Sequence, residues 1–512
     1  MTPPSPPTQA EKWLYLEQNK KWYYSLGVGS FLLLLVGMSL FICLKEEFRL
    51  YIPWVVLFGS YIGVSYWIGI FGKSFNLRKH QQVKLDWFDR VGFWGEDYPV
   101  IDVFIPVCGE NINIVRNTIF HAVSMTYPDD KLKIHILDDG DDTEVRQAAK
   151  LYKANYIVRK NRPELRKAGN LRHAFAKTNG DFILILDTDF APRRDMLEEM
   201  LPWMDHDEEI AIVQSPQYFN TKTSVGWIQK GAAYVQELFY RLVQTNRDSI
   251  YPGAAICVGS CGLYRRKALV PFGGTYPINY SEDVHTGYQL LSNCWKIKYL
   301  PINLAKGLCP EHLRGFFSQQ HRWASGSLSL CSNRMFWGAK QVGGHVKLAY
   351  LTGFTYYLAT ALGVICIPLA GIMMVWFAPE YVFWWNCLYY LPSFLFGTVV
   401  MSYWTRAPFG LYALCARQVS YYSHLFALKD KLLGNKMHWI PTGARHKESD
   451  NYGKFMALFS IWSVAQYLFL VGGCLHHMGR LSNLDFYPHL FFGTFYFLCN
   501  MRVLWTAYIE ES

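Results

Sequence analysis

The stretch DFILILDTDF, residues 181–190, is the part of this 512-residue chain that most directly predicts its fold. Its apolar run Phe182–Leu186 is short and uninterrupted, which is typical of a strand buried on both faces of a sheet. Two carboxylates, Asp187 and Asp189, follow the run at once. Because open α/β sheets bind ligands beyond the carboxyl ends of their strands, the stretch predicts both a buried strand and a ligand site.

Four further short apolar runs surround this stretch, namely VIDVFIPV, KIHILDD, YIVRK and AIVQSP. They alternate with helical patterns such as ENINIVRNTIFHAVSM, and no segment between about Asp86 and Leu330 is apolar enough to span a bilayer. The alternation predicts an α/β domain with a largely parallel sheet covered on both faces. We place this domain, with interfacial helices at its end, at residues 86–335.

Long apolar segments flank the domain on both sides. Hydrophobic residues make up 51% of the chain and aromatic residues 17%, which is typical of a membrane protein with aromatic interface belts. The segments are long enough to cross a bilayer as helices. About six spans are expected, grouped as residues 22–72 (22–44 and 51–72), 348–404 (348–377 and 381–404) and 455–509 (455–477 and 487–509).

Basic residues set the expected orientation. Lysines and arginines precede the first span and follow the second, and eight lie in residues 405–454, which we expect to be a cytoplasmic interfacial segment. Six spans then place both termini and the α/β domain in the cytoplasm, in a protein integral to a plasma or inner membrane. This also accounts for the net charge of +10, so no nucleic-acid partner is predicted.

Neither the cysteines nor the N-terminus indicates an exported soluble protein. The twelve cysteines are scattered without a CxxC pair, and we expect them to be reduced. The N-terminus has no apolar core of a cleavable signal peptide. Residues 1–21 are expected to be a disordered cytoplasmic arm.

Acidic clusters are the first candidates for chemistry. In LDTDF, Asp187 and Asp189 are two residues apart on a strand, so both carboxylates can converge on one hard cation such as Mg²⁺ or Mn²⁺. The alternative is a polar strand end. In LDDGDD, residues 137–142, the same residue types also suit an ordinary turn.

Two further motifs are ambiguous when taken alone. In YSEDVH, residues 280–285, the carboxylates of Glu282 and Asp283 suit a general base, but they also suit the positive end of a helix dipole. In RKAGNLRHA, residues 166–174, Lys167 can contact a phosphate or belong to a solvated basic face. The box QQHRW, residues 319–323, precedes an apolar segment and could be a membrane-interface belt.

The order of these motifs is more specific than any one of them. LDDG, KAGN, DTD, SED and QQHRW together resemble the processive glycosyltransferases of family 2, which include cellulose, chitin, hyaluronan and mannan synthases. The longer stretches AIVQSPQYFNT, QELFYRLVQTNRDS and ICVGSCGLYRRKAL are most similar to cellulose synthases of the bacterial type. The resemblance covers about residues 60–447.

The resemblance implies a GT-A (Rossmann-like) catalytic domain inserted between transmembrane helices, with a UDP-sugar as donor and a growing polysaccharide as acceptor. It also implies the role of each matching residue. Asp139, Lys167, Asp187, Gln319 and Arg322 bind the donor, Asp187 and Asp189 hold Mg²⁺ or Mn²⁺, Asp283 is the catalytic base with Glu282 beside it, and Trp323 binds the acceptor sugar.

The sequence departs from the family pattern in several places. The first-strand motif is PVCGE, where an Asn before the Glu is usual, and Leu165 stands where a His is usual. His321 in QQHRW has no assigned role. The resemblance places a gating loop at WIPTGARHK, with Thr442 as its carried-over residue. No cyclic-di-GMP-binding PilZ domain follows the last span, so no such regulation is expected in this chain.

The sequence thus predicts an inverting, membrane-embedded synthase that makes a β-linked polysaccharide, with UDP-glucose favoured as donor, and exports it through its own channel. One alternative is a mannan, chitin or hyaluronan-type synthase, and another is transfer of a single hexose to a membrane lipid. A transporter or receptor with a nucleotide-sensing domain is a third. The sugar, the linkage, the oligomeric state and any accessory secretion subunits stay open.

Overall fold

The structure is a computed structural model that describes residues 2–16, 21–92, 97–219, 226–251, 253–405, 410–435 and 450–511. The expected gating loop with Thr442, and part of the interfacial segment 405–454, lie outside the described residues.

A seven-stranded sheet forms the centre of the α/β domain, in the order β3-β2-β1-β4-β8-β6-β9. A second sheet of three strands, β5-β10-β7, lies beside it. The strands are β1 (Ile101–Val107), β2 (Leu132–Asp138), β3 (Asn155–Ile157), β4 (Phe182–Ile185), β5 (Phe190–Pro192), β6 (Ile210–Gln214), β7 (Tyr218–Phe219), β8 (Gly262–Arg265), β9 (Lys296–Tyr299) and β10 (Ala305–Gly307).

The predicted α/β fold is confirmed, but the large sheet is mixed rather than uniformly parallel. Strands β3, β2, β1 and β4 are parallel, and β8 then pairs antiparallel with both β4 and β6. Strands β5, β7, β8, β9 and β10 were not predicted, because each is only two to four residues long and shows no clear alternation. The four parallel strands all end at one edge, where the acidic motifs follow.

Helices cover both faces of the sheet and continue into the apolar part of the chain. They are α1 (Gln9–Lys12), α2 (Lys21–Leu44), α3 (Ile52–Phe71), α4 (Leu77–Val91), α5 (Ile112–Val123), α6 (Thr143–Leu151), α7 (Arg166–Lys177), α8 (Met196–His206), α9 (Trp227–Leu238), α10 (Thr245–Ile250), α11 (Arg266–Leu269), α12 (Glu282–Ser292), α13 (Leu313–Cys331), α14 (Arg334–Gly338), α15 (Gly344–Phe377), α16 (Leu391–Leu395), α17 (Met401–Thr405), α18 (Gly410–Leu433), α19 (Asp450–His477) and α20 (Asn483–Glu511).

Four helical segments of the described chain are long and apolar enough to cross a membrane: Lys21–Leu44, Glu46–Phe71, Gly344–Phe377 and Asn451–His477. Six were expected. Residues 381–404 do not form one continuous α-helix. They contain, in order, a 3₁₀ segment (Trp384–Tyr389), α16, a π-helical segment (Phe396–Val400) and α17. Helix α20 is continuous across 487–509 but is not among these four, and its polar residues include Asn500 and Arg502.

The N-terminal arm is ordered over residues 2–16, contrary to the expected disorder. Thr8 caps α1 in a reciprocal capping box with Glu11. Glu11 and Lys12 are both buried against the α/β domain, where they meet oppositely charged side chains. Composition alone suggested a disordered, proline-rich tail, whereas the partners that bury these two charges lie far away in sequence.

Helix α13 joins the α/β domain to the membrane helices. Its Phe317 stacks on Phe455 of α19 at a centroid distance of 4.6 Å and meets Phe426 of α18 edge-on at 5.9 Å. Such aromatic pairs add to the burial of apolar area. Because α13 contains the QQHRW box, this packing fixes the box between the domain and the helices.

Candidate active site

One cavity of about 420 Å³ lies at the carboxyl edge of the parallel strands. Every predicted site residue that the structure describes lines it: Asp139, Lys167, Asp187, Asp189, Glu282, Asp283, Gln319, Arg322 and Trp323. They come from five separate segments of the chain. The structure therefore brings the five motifs together, while the roles assigned to their residues stay predictions.

Lys167 and Asp187 form the ion pair at the centre of the cavity. Lys167 Nζ lies 2.5 Å from Asp187 Oδ1, donates to the Gly259 carbonyl at 3.0 Å and lies 3.8 Å from Glu282 Oε1. Burial lowers the pKa of Lys167, but Asp187 and Glu282 outweigh burial and hold that pKa above its usual value. Lys167 is thus a fixed positive charge, not part of a solvated basic face.

Asp189 is a buried carboxyl of the cavity whose charge is poorly compensated. Burial and the neighbouring charge of Asp187 raise the pKa of Asp189 to about 7. Hard divalent cations prefer carboxylate oxygens and would relieve this repulsion, so the Asp187–Asp189 pair fits Mg²⁺ or Mn²⁺. No group of three His, Cys, Asp or Glu side chains in the described residues could hold a metal ion alone, so other ligands must complete such a site.

Asp283 lies at the start of α12, where its Oδ1 accepts a hydrogen bond from the Val284 backbone at 2.8 Å. Burial and then Glu282 raise the pKa of Asp283 to about 7, with Lys167 acting in the opposite direction. Gly259 has a φ of +75°, and a Cβ there would lie 2.8 Å from Asp283 Oδ2. The positive φ favours glycine at position 259, and the absence of a side chain there leaves room for the carboxylate of Asp283.

Asp139 is held by a buried arginine. Arg159 Nε and Nη2 donate to the two oxygens of Asp139 at 2.7 and 2.6 Å, and the arginine side chain is fully buried. Such forked pairing fixes the carboxylate in one orientation. The glycine of the KAGN box makes room for it, because a Cβ on Gly169 would lie 2.2 Å from Arg159 Nη1.

Arg322 faces the carboxylates of the cavity from α13. Burial lowers the pKa of Arg322, while the charges of Asp187, Glu282 and Asp283 oppose that shift. No hydrogen bond to its guanidinium is found within the described part of the chain. A guanidinium that lines a cavity and has no hydrogen-bond partner among the described residues suits an anion with several oxygens, such as a diphosphate.

Several cavity residues were missed at the sequence level. Glu110, whose Oε2 accepts from the Cys108 backbone at 2.6 Å, lines the cavity, and burial raises its pKa to about 7. Gln217 and Phe190 also line it. Glu110 lies directly beyond β1 and could have been found by the strand-end argument applied to Asp187. Arg159, which holds Asp139 but does not itself line the cavity, could not have been found in this way, since the two residues are twenty apart in sequence.

Comparison with known proteins assigns this domain. Residues 102–270 match the family model described as glycosyl transferase family 2. This part of the chain is a family 2 glycosyltransferase domain. The match includes Asp139, Lys167, Asp187 and Asp189, whereas Asp283 and the QQHRW box lie beyond it. The predicted family resemblance is thereby confirmed.

The relatives of the glycosyltransferase domain include UDP-forming cellulose synthase catalytic subunits. The chain is 35% identical to that of Komagataeibacter sucrofermentans over 271 residues, which is 51% of this chain and 35% of the relative. It is 37% identical to that of Pseudomonas fluorescens over 239 residues, 45% of this chain and 31% of the relative. The matched region thus spans about a third of the length of these relatives.

Among solved structures, a mannosyltransferase from Pyrobaculum calidifontis in complex with GDP-Man and Mn²⁺ aligns with a TM-score of 0.48 at 16% identity. The alignment covers 70% of this chain and 97% of that protein.

Proposed function

We propose that this chain is an inverting, processive glycosyltransferase of the membrane, which polymerises a hexose from a UDP-sugar into a β-linked polysaccharide. UDP-glucose is the proposed donor because the matched relatives are UDP-forming cellulose synthase subunits. The observation that carries the proposal is the shared cavity of Asp283, the Asp187–Asp189 pair and Arg322. A nucleotide-sensing receptor would need the charge-binding residues but not a buried carboxylate with a raised pKa.

Each charged residue of the cavity has a proposed part in the transfer. Asp283 takes the proton from the acceptor hydroxyl, and a pKa of about 7 makes it a stronger base than an ordinary aspartate. Arg322 stabilises the charge that develops on the departing diphosphate. A divalent cation held by Asp187 and Asp189 supplies further neutralisation of that charge when bound.

The stereochemistry follows from the use of one base. A single displacement at the anomeric carbon inverts its configuration, so an α-linked UDP-sugar gives a β-linked product. Trp323 offers a flat face at the cavity wall on which the acceptor sugar can stack. It lies on α13, the helix that leads toward the membrane helices.

A row of polar aromatic side chains among the membrane helices supports export by the same chain. Tyr356 lies between Tyr61 and Tyr357, with ring centroids 5.1 Å from each, and Tyr357 meets His424 at 4.8 Å. Beside this row, Arg417 of the interfacial helix α18 donates to the Tyr234 hydroxyl of α9 at 2.8 Å. Polar side chains are expensive inside a bilayer, so the three tyrosines of α3 and α15 suit the passage of a hydroxyl-rich chain.

The proposed location is a plasma or inner membrane with the glycosyltransferase domain on the cytoplasmic side. Support comes from the four apolar helices and from the basic residues at their flanks. Accessory secretion subunits are compatible with this arrangement.

Purified protein incubated with labelled UDP-glucose and Mg²⁺ tests the proposal. We expect free UDP and a long β-linked glucan. Parallel incubations with other UDP-sugars identify the donor, and product length separates a polymer from a single hexose on a lipid. Absence of both polymer and UDP with every UDP-sugar would reject the proposal.

A further inference from the structure

Glu199 of α8 lies at the centre of a buried charge cluster outside the active site. Lys12 of the N-terminal arm donates to its Oε1 at 2.8 Å, and Lys84 of α4 lies 2.5 Å from the same atom. His80 of α4 lies 2.6 Å from Oε2. The side chains of Glu199, Lys12 and His80 are only 1–4% exposed, so the cluster belongs to the protein interior.

The hydrogen bonds fix the form of His80. Trp203 Nε1 donates to His80 Nδ1 at 2.8 Å, so that nitrogen has no proton and Nε2 donates to Glu199. His80 is therefore a neutral donor. The positive charges that balance Glu199 are Lys12 from the arm and Lys84 from α4.

The N-terminal arm and helix α4 flank the first pair of membrane helices, α2 and α3. The arm precedes α2, which begins nine residues after Lys12, and α4 follows α3 after a linker of five residues. Both ends of the α2–α3 pair on the glycosyltransferase side therefore meet at one carboxylate. Further contacts hold the arm in place: Lys306 Nζ lies 2.7 Å from Glu11 Oε2, and Asn303 donates to the backbone of Glu11 and Lys12.

We propose that Glu199 is a positioning residue that docks both ends of the α2–α3 pair onto the glycosyltransferase domain and so fixes the domain relative to the membrane helices. The acidic residues of the cavity belong to the domain, whereas the polar aromatic row lies in the membrane helices. Correct docking thus matters for chain elongation more than for donor binding. This consequence rests on the proposed function, but the docking itself does not.

The charges of the cluster predict how replacing Glu199 affects the docking of the arm and of α4. Replacing Glu199 by Gln removes the anion that Lys12 and Lys84 share. Lys12 keeps a second partner in Asp195 Oδ2 at 2.6 Å, but its buried ammonium loses one of its two carboxylates, which is unfavourable. We expect the arm and α4 to separate from α8, while the sheet and its cavity stay intact. Lys12→Arg keeps the charge that Glu199 needs, whereas Lys12→Met removes it.

Hydrogen exchange of the full-length protein in lipid nanodiscs tests the docking without any substrate. In Glu199→Gln, amides of residues 9–16 and 77–91 should exchange at least about tenfold faster, with β1 and β4 unchanged. Lys12→Met should release residues 9–16, and Lys12→Arg should not. The control Glu198→Gln changes the neighbouring carboxyl on α8, which has no ion pair within the described residues, and should match the wild type.

Kinetics on the same samples test the positioning role. Glu199→Gln should lower the rate of polymer synthesis about tenfold while changing the KM for UDP-glucose less than about twofold. Unchanged exchange in the arm and α4, faster exchange throughout the domain, or an unaltered synthesis rate would each overturn the proposal. If the wild type makes no polymer, the proposed function fails, and exchange still decides whether Glu199 docks the helices.

Discussion

Nε2 of His321 lies 3.0 Å from Oδ2 of Asp430, so the QQHRW box is joined to helix α18 through a residue that has no assigned role. Asp430 also accepts hydrogen bonds from Asn435 at 3.1 Å and from Asn451 at 2.7 Å. His321 and Asp430 are both buried. His321 therefore anchors the box to α18, while Arg322 and Trp323 line the cavity.

Asp430→Asn should impair donor use, because α13 loses its charged anchor and small displacements of positioning groups are costly. We expect kcat/KM for the UDP-sugar to fall about 10- to 100-fold. His312→Gln is the matched control, since His312 is 70% exposed and its pairing with Glu510 is of the weak surface kind. Equal effects of the two changes would show that the anchor is unimportant.

Arg159→Met should destabilise the glycosyltransferase domain by about 3–5 kcal/mol, since it leaves the carboxylate of Asp139 buried without its partner. Thermal unfolding in detergent measures the loss. Arg162→Met removes a nearby arginine whose pair with Asp141 is far more exposed, and should cost less than about 1 kcal/mol. A loss at Arg159 no larger than that at Arg162 would contradict the role of the buried pair.

Gly169→Ala should be destabilising by about 1–3 kcal/mol, because its Cβ would overlap Arg159 and the Glu164 carbonyl. The same substitution at Gly226, where a Cβ would meet nothing within 4 Å, is the control. Chemical unfolding of the two variants compares them. The account of the KAGN box fails if Gly169→Ala is as stable as the wild type.

Acid should weaken the Glu199 cluster. Burial raises the pKa of Glu199, but His80, Lys84 and Lys12 outweigh burial and hold that pKa well below its usual value. A lowered folded-state pKa contributes stability above the unfolded value of about 4.3, and this contribution is lost as the pH falls through the folded value. The wild type should therefore lose more thermal stability than Glu199→Gln between about pH 5 and pH 3. Parallel loss in both would contradict the assignment.

The sequence predicted the parts that depend on local pattern. The run before Asp187 gave a buried strand, and the order of five motifs gave a cavity in which all nine described candidate residues meet. It could not predict partners that are distant in sequence. Lys12 and Glu199, which are 187 residues apart, form a pair that holds in place an arm expected to be disordered. Asp430, which is 109 residues from His321, supplies the hydrogen-bond partner of that histidine.

The central claim is that Asp283 is the base of a sugar transfer. Asp283→Asn keeps the size of the side chain and removes its ability to take a proton. The decisive measurement compares polymer synthesis from UDP-glucose with equilibrium binding of UDP-glucose in this variant. We predict that synthesis falls at least about 100-fold while donor binding stays within about twofold. Synthesis at the wild-type rate would contradict the account.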